Sequence, residues 1–123
     1  MVEPMGFRLT ERNLKRAGCD YWDDVEVVRW PCAEAFFAAH GEDELHLFTG
    51  QATCGYRNAA YGPDAFLLFG RESRGLDQGL IDRFADCCRR IPMREGARSL
   101  NLSNAVAIAA YEALAQQGFP GLV

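Results

Sequence analysis

The spacing of apolar and polar residues changes period several times along the chain, and each change predicts an element boundary. Val25-Glu26-Val27-Val28 is a short β-branched run that predicts a strand. Trp30-Pro31 then opens a helix expected to reach about His40, with proline near the first helical position and Gly41 as its stop. Leu45-His46-Leu47-Phe48-Thr49 predicts a second strand, closed by Gly50. Ala65-Phe66-Leu67-Leu68-Phe69 is continuously apolar, as suits a strand covered on both faces, and it ends at Gly70. A short helix over 77–84, a strand over 87–91 and a loop over 92–100 follow. Nearer the start, Thr10 is placed to cap a helix over 10–17, with Gly18 as its left-handed exit.

The longest predicted element is a helix over 103–117, with Gly118 beyond it. Its Ala105-Val106-Ala107-Ile108-Ala109-Ala110 stretch is apolar all round, whereas a surface helix confines apolar residues to one stripe. Such a helix is expected to be buried on several sides, either within the monomer or against a partner subunit. Strands alternating with helices point to an α/β domain with a largely parallel sheet. Ligands in such sheets bind outside the carboxyl ends of the strands. Three polar or glycine-containing loops fall there: after Phe48, after Phe69 and after Ile91. No repeat or low-complexity linker interrupts the pattern, so residues 1–123 are read as one domain.

Charge narrows the function classes. Thirteen basic and 17 acidic residues give a net charge of -4, which argues against nucleic-acid or membrane binding by bulk charge alone. Local patches remain, and all the cations but Lys15 are arginine, the better fork for phosphate. Arg12, Lys15 and Arg16 share a face of the first helix, either a solvated surface or a phosphate-contacting patch. Residues 83–98 hold five arginines against Asp86 and Glu95, a local charge of +3, which is where a negatively charged partner such as RNA is expected unless it is a solvated strand edge. Cys19, Cys32, Cys54, Cys87 and Cys88 form no C-x-x-C pair, so reduced thiols are expected rather than a zinc site or a disulfide framework. His40 and His46 lack spaced ligand partners, and no metal site is assigned. The N-terminus lacks a signal-peptide pattern and the longest apolar run, from Ala105 to Tyr111, is far short of a membrane span, so a soluble cytoplasmic protein is expected.

Two loops carry candidate chemistry. Phe69-Gly70-Arg71-Glu72-Ser73-Arg74-Gly75-Leu76 places two arginines, a carboxylate and two glycines directly after the apolar strand. Glycine permits close backbone approach to a ligand and arginine forks onto phosphates, although a plain surface turn has the same composition. Neither a Walker ending nor a G-x-G-x-x-G turn is present. The second loop runs through Ile91-Pro92-Met93 to Ser99-Leu100-Asn101-Leu102-Ser103-Asn104. Ser103 or Asn101 serves as a helix cap, and the surplus short polar side chains are placed to meet a ligand at the positive end of the helix.

Phe69-Gly70-x-Glu72-x-x-Gly75-Leu76, followed by Ile91-Pro92-Met93 and Ser99-Leu100-Asn101-Leu102-Ser103-Asn104-Ala105-Val106, resembles the second and third motifs of SPOUT-class RNA ribose 2′-O-methyltransferases. Glu3-Pro4-Met5-Gly6-Phe7, Leu14-Lys15-Arg16-Ala17-Gly18-Cys19-Asp20-Tyr21-Trp22 and Tyr111-Glu112-Ala113 look more specifically like the TrmL branch, which methylates the wobble cytidine or uridine of transfer RNA. The resemblance implies an α/β fold with a C-terminal trefoil knot, a rare exception to unknotted connectivity. It implies a homodimer through the helix over 103–117, the anticodon region of tRNA as substrate, and S-adenosylmethionine as methyl donor, leaving as S-adenosylhomocysteine, with no metal. Carried over by position, Phe48, Thr49, Gly50, Gly70, Ile91, Met93, Ser99 and Leu100 frame the cofactor, and Glu72, Ser99 and Asn101 lie at the reacting groups. Arg71, Arg74, Arg94 and Arg98 are the expected RNA contacts.

The chain departs from the family in one respect. Members begin with a P-x-N-x-G-N-x-x-R type segment whose arginine is usually assigned to activating the 2′-hydroxyl, and Met1-Val2-Glu3-Pro4 aligns after it. The expected deficit is roughly thirty residues, about one βα unit. Weak or absent catalysis is expected of such a chain. The competing reading is a non-catalytic module that retains cofactor binding, dimerisation or RNA binding.

Overall fold

The computed structural model describes residues 1–5, 10, 12–13, 18 and 22–123, which divide into two compact units, Met1–Glu42 and Asp43–Val123. In the first unit, the Asn13 amide donates to Thr10 Oγ1 at 3.2 Å, the cap expected there, and Gly18 takes a φ of 71°. Lys15, Arg16 and most of that predicted helix lie outside the described residues.

Helix α1, Ala33–His40, forms where predicted. Pro31 precedes its N-cap Cys32 rather than occupying the first turn, and Gly41 stops it in right-handed conformation, its amide still donating to Phe37 O at 2.9 Å. Phe36 and Phe37 supply the buried side of α1, and Trp30 packs edge-on against Phe36 and His40 with ring centroids 5.7 and 5.4 Å apart.

The strand expected at 25–28 does not form. Val25 and Val28 are 52% and 51% exposed, and although Met1 N donates to Val28 O at 2.6 Å and Arg29 pairs with Glu3, the backbone there forms an isolated bridge between Val2 and Trp30 rather than a ladder. Asp23, Asp24 and Glu26 flank the valines, and among the described residues no second strand pairs with them to form a ladder.

The second unit is built on a three-stranded parallel sheet in the order β2-β1-β3, with β1 at Leu45–Phe48, β2 at Phe66–Phe69 and β3 at Cys88–Arg89. Leu45 pairs with Phe66 and Phe48 with Phe69 on one side, while Leu47 pairs with Cys88 and Phe48 with Arg89 on the other. All four β1 residues are buried, and Leu47 is 0% exposed. The strand expected to be covered on both faces was 65–69, yet every β2 residue is only half-buried. Being central decides burial here, and β2 lies at an edge of the sheet. β3 is shorter than predicted because a 3-10 turn, Ala85–Cys87, takes its first residue, and beyond it Arg90 makes only a bridge to Gly55.

Helix α2, Gln78–Arg83, connects β2 to β3, and α3, Leu102–Gln116, packs on β2. Ala109, 0% exposed, and Ala113 pack with Phe48, Ala59 and Tyr61, small residues that let the helix approach the sheet closely. Burial of α3 on several sides is not what one chain provides. Its outward face leaves Val106 and Tyr111 39% and 63% exposed, because the sheet lies on one side only. Among the described residues no helix is long and apolar enough to cross a membrane.

Candidate functional site

The carboxyl ends of β1 and β2 and the chain after β3 enclose a cleft of about 190 Å³. Phe48 and Phe69, paired in the sheet, stack with ring centroids 4.7 Å apart and form its floor. Thr49 and Gly50 follow from β1, and the Thr49 amide is held by Arg89 O at 3.0 Å.

The turn after β2 closes on itself. Arg71 N donates to Gly75 O at 3.1 Å and Gly75 N donates to Arg71 O at 2.7 Å. Gly75 has a φ of 70°, a left-handed conformation suited to glycine. Gly70 is required for a different reason: a Cβ there would lie 1.9 Å from Gly75 C and 2.1 Å from Leu76 N, both backbone atoms. The turn thus brings Gly70, Arg71 and Glu72 to one wall of the cleft.

The opposite wall is the segment after β3. Ile91, Met93, Ser99 and Leu100 line the cleft, followed by Leu102 and Ala105 from the first turn of α3. All eight residues named as the cofactor frame, together with Glu72, are therefore in one place. A more polar groove of about 300 Å³ adjoins it, sharing Thr49, Glu72 and Ser99 and adding Gln51, Ser73 and Arg74.

Asn101 stands apart. Its Oδ1 accepts from the Ser103 amide at 2.9 Å and from the Ser103 hydroxyl at 2.5 Å, so it is the helix cap, and it does not line the cleft. Arg94 and Arg98 are exposed and line neither cavity, while Arg71 and Arg74 each line one. Residues that sequence reasoning left unassigned are Phe69, Gly75, Leu76, Leu102, Ala105, Gln51, Ser73 and Ile81. Three of them carried a signal: pairing of Phe48 with Phe69 follows from the strand register, and Leu102 and Ala105 are three apart at a helix start.

The far end of the sheet is built differently. His46, 4% exposed, accepts from Arg89 Nε at 3.2 Å through Nδ1, so its proton is assigned to Nε2, which donates to Glu44 Oε1 at 2.8 Å. Glu44 Oε1 also accepts from the Gly62 amide at 2.9 Å, and these hydrogen bonds, the Gly62 one foremost, lower its pKa. Tyr61 donates its hydroxyl to Tyr56 O at 2.5 Å, and burial pushes its pKa up to about 12. Cys88 is a buried thiol whose pKa burial raises, and Cys32, Cys54 and Cys87 are half-buried free thiols. Among the described residues no cluster of three or more His, Cys, Asp or Glu side chains is placed to hold a metal.

Comparison with known proteins follows the same segments. The sequence profile described as the SpoU rRNA Methylase family matches residues 1–111. The tRNA (cytidine(34)-2′-O)-methyltransferase of Escherichia coli strain K12 is 40% identical over 124 residues, covering 100% of this chain and 79% of the relative. A crystal structure of a Bacillus anthracis protein superposes with a TM-score of 0.91 at 38% identity, over 98% of this chain and 78% of that one. A structure solved in a study of 2-OH methylation of C/U34 on tRNA superposes with a TM-score of 0.86 at 38% identity, over 95% and 76%.

Proposed function

The chain belongs to the SpoU methylase family, and from that premise we propose that it transfers the methyl group of S-adenosylmethionine to the ribose 2′-hydroxyl of the wobble nucleotide, cytidine or uridine, of transfer RNA. The observation that carries this reading is the convergence of residues 48–50, 70–72 and 91–100 on one cleft at the carboxyl ends of parallel strands.

The cleft suits the proposed cofactor. Its walls combine apolar surface from Ile91, Leu76 and Leu100 with backbone at Thr49 and Gly50 and a carboxylate from Glu72, the mixture a cationic nucleoside requires. S-adenosylmethionine supplies an activated methyl on sulfur. The chain's contribution is alignment for an in-line displacement and a place for the hydroxyl proton. Glu72 is the acid in the cleft lining and has no side-chain hydrogen bond among the described residues, so it is the group proposed to meet the reacting centre. Ser99 lines both cavities and is assigned to the boundary between cofactor and ribose. Asn101 spends its carbonyl oxygen on the α3 cap, which leaves its amide donors for the ribose side.

RNA contact is assigned to Arg71 and Arg74 beside the cleft and to Arg94 and Arg98 on the exposed loop. The outward face of α3 is assigned to a second copy of the chain, supported by exposed Val106, Tyr111 and Phe119 and by alanine-rich surface between them. One methyltransferase domain over 1–123 belongs to the same proposal, supported by a single family profile spanning both compact units, as do the cytoplasm as its location and the C-terminal knot, supported by the way residues 70–75 and 91–100 meet at one cleft.

Incubation with methyl-labelled S-adenosylmethionine and unmodified tRNA, followed by nucleoside analysis, tests the activity. The expected product is a 2′-O-methylated wobble nucleotide. Binding of S-adenosylhomocysteine without methyl transfer would return the chain to a cofactor-binding module, and no binding at all would overturn the assignment of the cleft.

A further inference from the structure

β3 is two residues long, yet it delivers one entire wall of the cleft. A two-residue edge ladder supplies few hydrogen bonds, so its position must be fixed by something besides pairing. The structure assigns that role to Arg89: we propose that it is a positioning residue whose guanidinium, clamped between His46 and the turn before β3, sets the Thr49 amide and the Ile91 segment at the cofactor cleft.

The clamp has three contacts. Arg89 Nη1 donates to Asp86 O at 2.8 Å and to Cys88 O at 2.9 Å, which ties the Ala85–Cys87 turn to the strand it leads into. Nε donates to His46 Nδ1 at 3.2 Å, which ties β3 to the central strand. His46 cannot swing away, because it is 4% exposed, lies 4.5 Å from the Tyr61 ring and is held by Glu44 at 2.8 Å. The anchor thus runs from Glu44 through His46 to Arg89 along one face of β1.

The backbone of the same residue carries the effect to the site. Arg89 O accepts from Thr49 N at 3.0 Å, Arg90 N donates to Cys54 O at 2.8 Å, and Tyr56 N donates to Arg90 O at 3.0 Å. Residues 89 and 90 therefore stitch Thr49 to Cys54 and Tyr56 within the segment that follows β1. The next residue, Ile91, already lines the cleft. A guanidinium in direct contact with RNA would not be expected to spend three hydrogen bonds on its own scaffold. This separates Arg89 from Arg94 and Arg98 in the same basic stretch, neither of which has a side-chain hydrogen bond among the described residues.

The test rests on the proposed cofactor but does not depend on it alone. In the full chain, Arg89→Ala is expected to weaken S-adenosylhomocysteine binding about tenfold, the cost of losing charge-assisted hydrogen bonds that order a site. At saturating cofactor, kcat should stay within about twofold, since no reacting atom is touched. His46→Phe, which keeps a ring against Tyr61 but removes the acceptor, should weaken binding in the same direction by less. Arg83→Ala removes a charge from the same stretch without touching the clamp and should leave binding unchanged. Amide hydrogen exchange at Thr49 and Tyr56 should accelerate in both clamp variants. Unchanged cofactor affinity in a folded Arg89→Ala, or unchanged exchange at Thr49, overturns the proposal. If Arg89→Ala does not fold, His46→Phe decides by the same two readouts. If the unaltered chain binds no S-adenosylhomocysteine, the functional reading fails, while exchange at Thr49 still judges the clamp.

Discussion

The two ends of β1 hold polar groups in opposite ways. At the amino end, Glu44, His46, Tyr61 and Gln116 each make side-chain hydrogen bonds to other parts of the second unit, with Gln116 accepting from Tyr61 N at 3.1 Å and donating to Ala59 O at 3.0 Å. At the carboxyl end, Arg71, Glu72, Arg74 and Ser99 line cavities without one side-chain hydrogen bond among the described residues. A buried polar group without partners costs stability, whereas an exposed one in a cleft keeps its bonding capacity for a ligand. The difference separates scaffold from site more sharply than residue type does, since arginine, glutamate and glutamine occur at both ends. Arg89 joins them, with its side chain in the scaffold and its carbonyl at the site.

Glycine substitutions break the comparison most strongly. Gly70→Ala places a methyl 1.9 Å from backbone that cannot yield, so the turn must open, at a cost of about 3 kcal/mol. Calorimetry should show S-adenosylhomocysteine binding weakened more than about a hundredfold. At the other end, Gly62→Ala meets only the Glu44 Oε2 tip, at 2.4 Å, a flexible group that can rotate away. It should cost about 1 kcal/mol of stability, the scale of one hydrogen bond, and, because Glu44 holds His46 at the start of the Arg89 clamp, weaken cofactor binding no more than His46→Phe does and far less than Gly70→Ala. Equal effects of the two substitutions on binding would remove the distinction between the ends.

Smaller effects are expected from the arginines. Arg94→Ala and Arg98→Ala should each weaken tRNA binding and lower the slope of log affinity against log salt by about 1, as removal of one phosphate contact does. Arg57, 3.6 Å from Glu112 in an ion pair, provides the contrast, and its replacement by alanine should leave that slope unchanged. Fluorescence anisotropy over a salt series reads both. A slope that does not move for Arg94 and Arg98 assigns them to solvated surface.

Much of this organisation is legible in the sequence. β1, the short helix, the final helix and three loops at strand ends follow from hydrophobic period and glycine placement, because those signals are local. Gly70, Glu72, Gly75, Leu76, Ile91, Met93, Ser99 and Leu100, far apart in the sequence, line one cleft. What the sequence hides is tertiary. Val25-Glu26-Val27-Val28 has strand propensity, but Val25 and Val28 are half exposed and no ladder forms there among the described residues. Phe66 to Phe69 reads as more buried than β1, and only strand order shows that β1 is central. Asn101 and Ser103 compete for one cap, and only geometry awards it to Asn101. His46, two residues after Glu44, carries no local sign that Arg89, 43 residues away, completes its bonding.

The least perturbing test concerns the scaffold end alone and turns on the sign of a pH effect. Tyr61 is 5% exposed with its hydroxyl donating a hydrogen bond to Tyr56 O, and burial, which disfavours the phenolate, raises its pKa from 10.0 to about 12 despite the opposing pull of Arg89. Below pH 10 both folded and unfolded chains keep the proton, and the contribution to stability is constant. Between pH 10 and about 12 the unfolded chain ionises while the folded one does not, so this contribution is lost as pH rises. Tyr61→Phe keeps the ring and removes the hydroxyl. It should cost about 1 kcal/mol near neutrality, the worth of one hydrogen bond. Urea unfolding of both proteins should show the advantage of tyrosine over phenylalanine shrinking above pH 10, with the thiols and the other tyrosines cancelling in the comparison. A difference that stays constant to pH 12 would mean that the Tyr61 hydroxyl is not held by the scaffold, and the tightly bonded end of the sheet would lose one of its members.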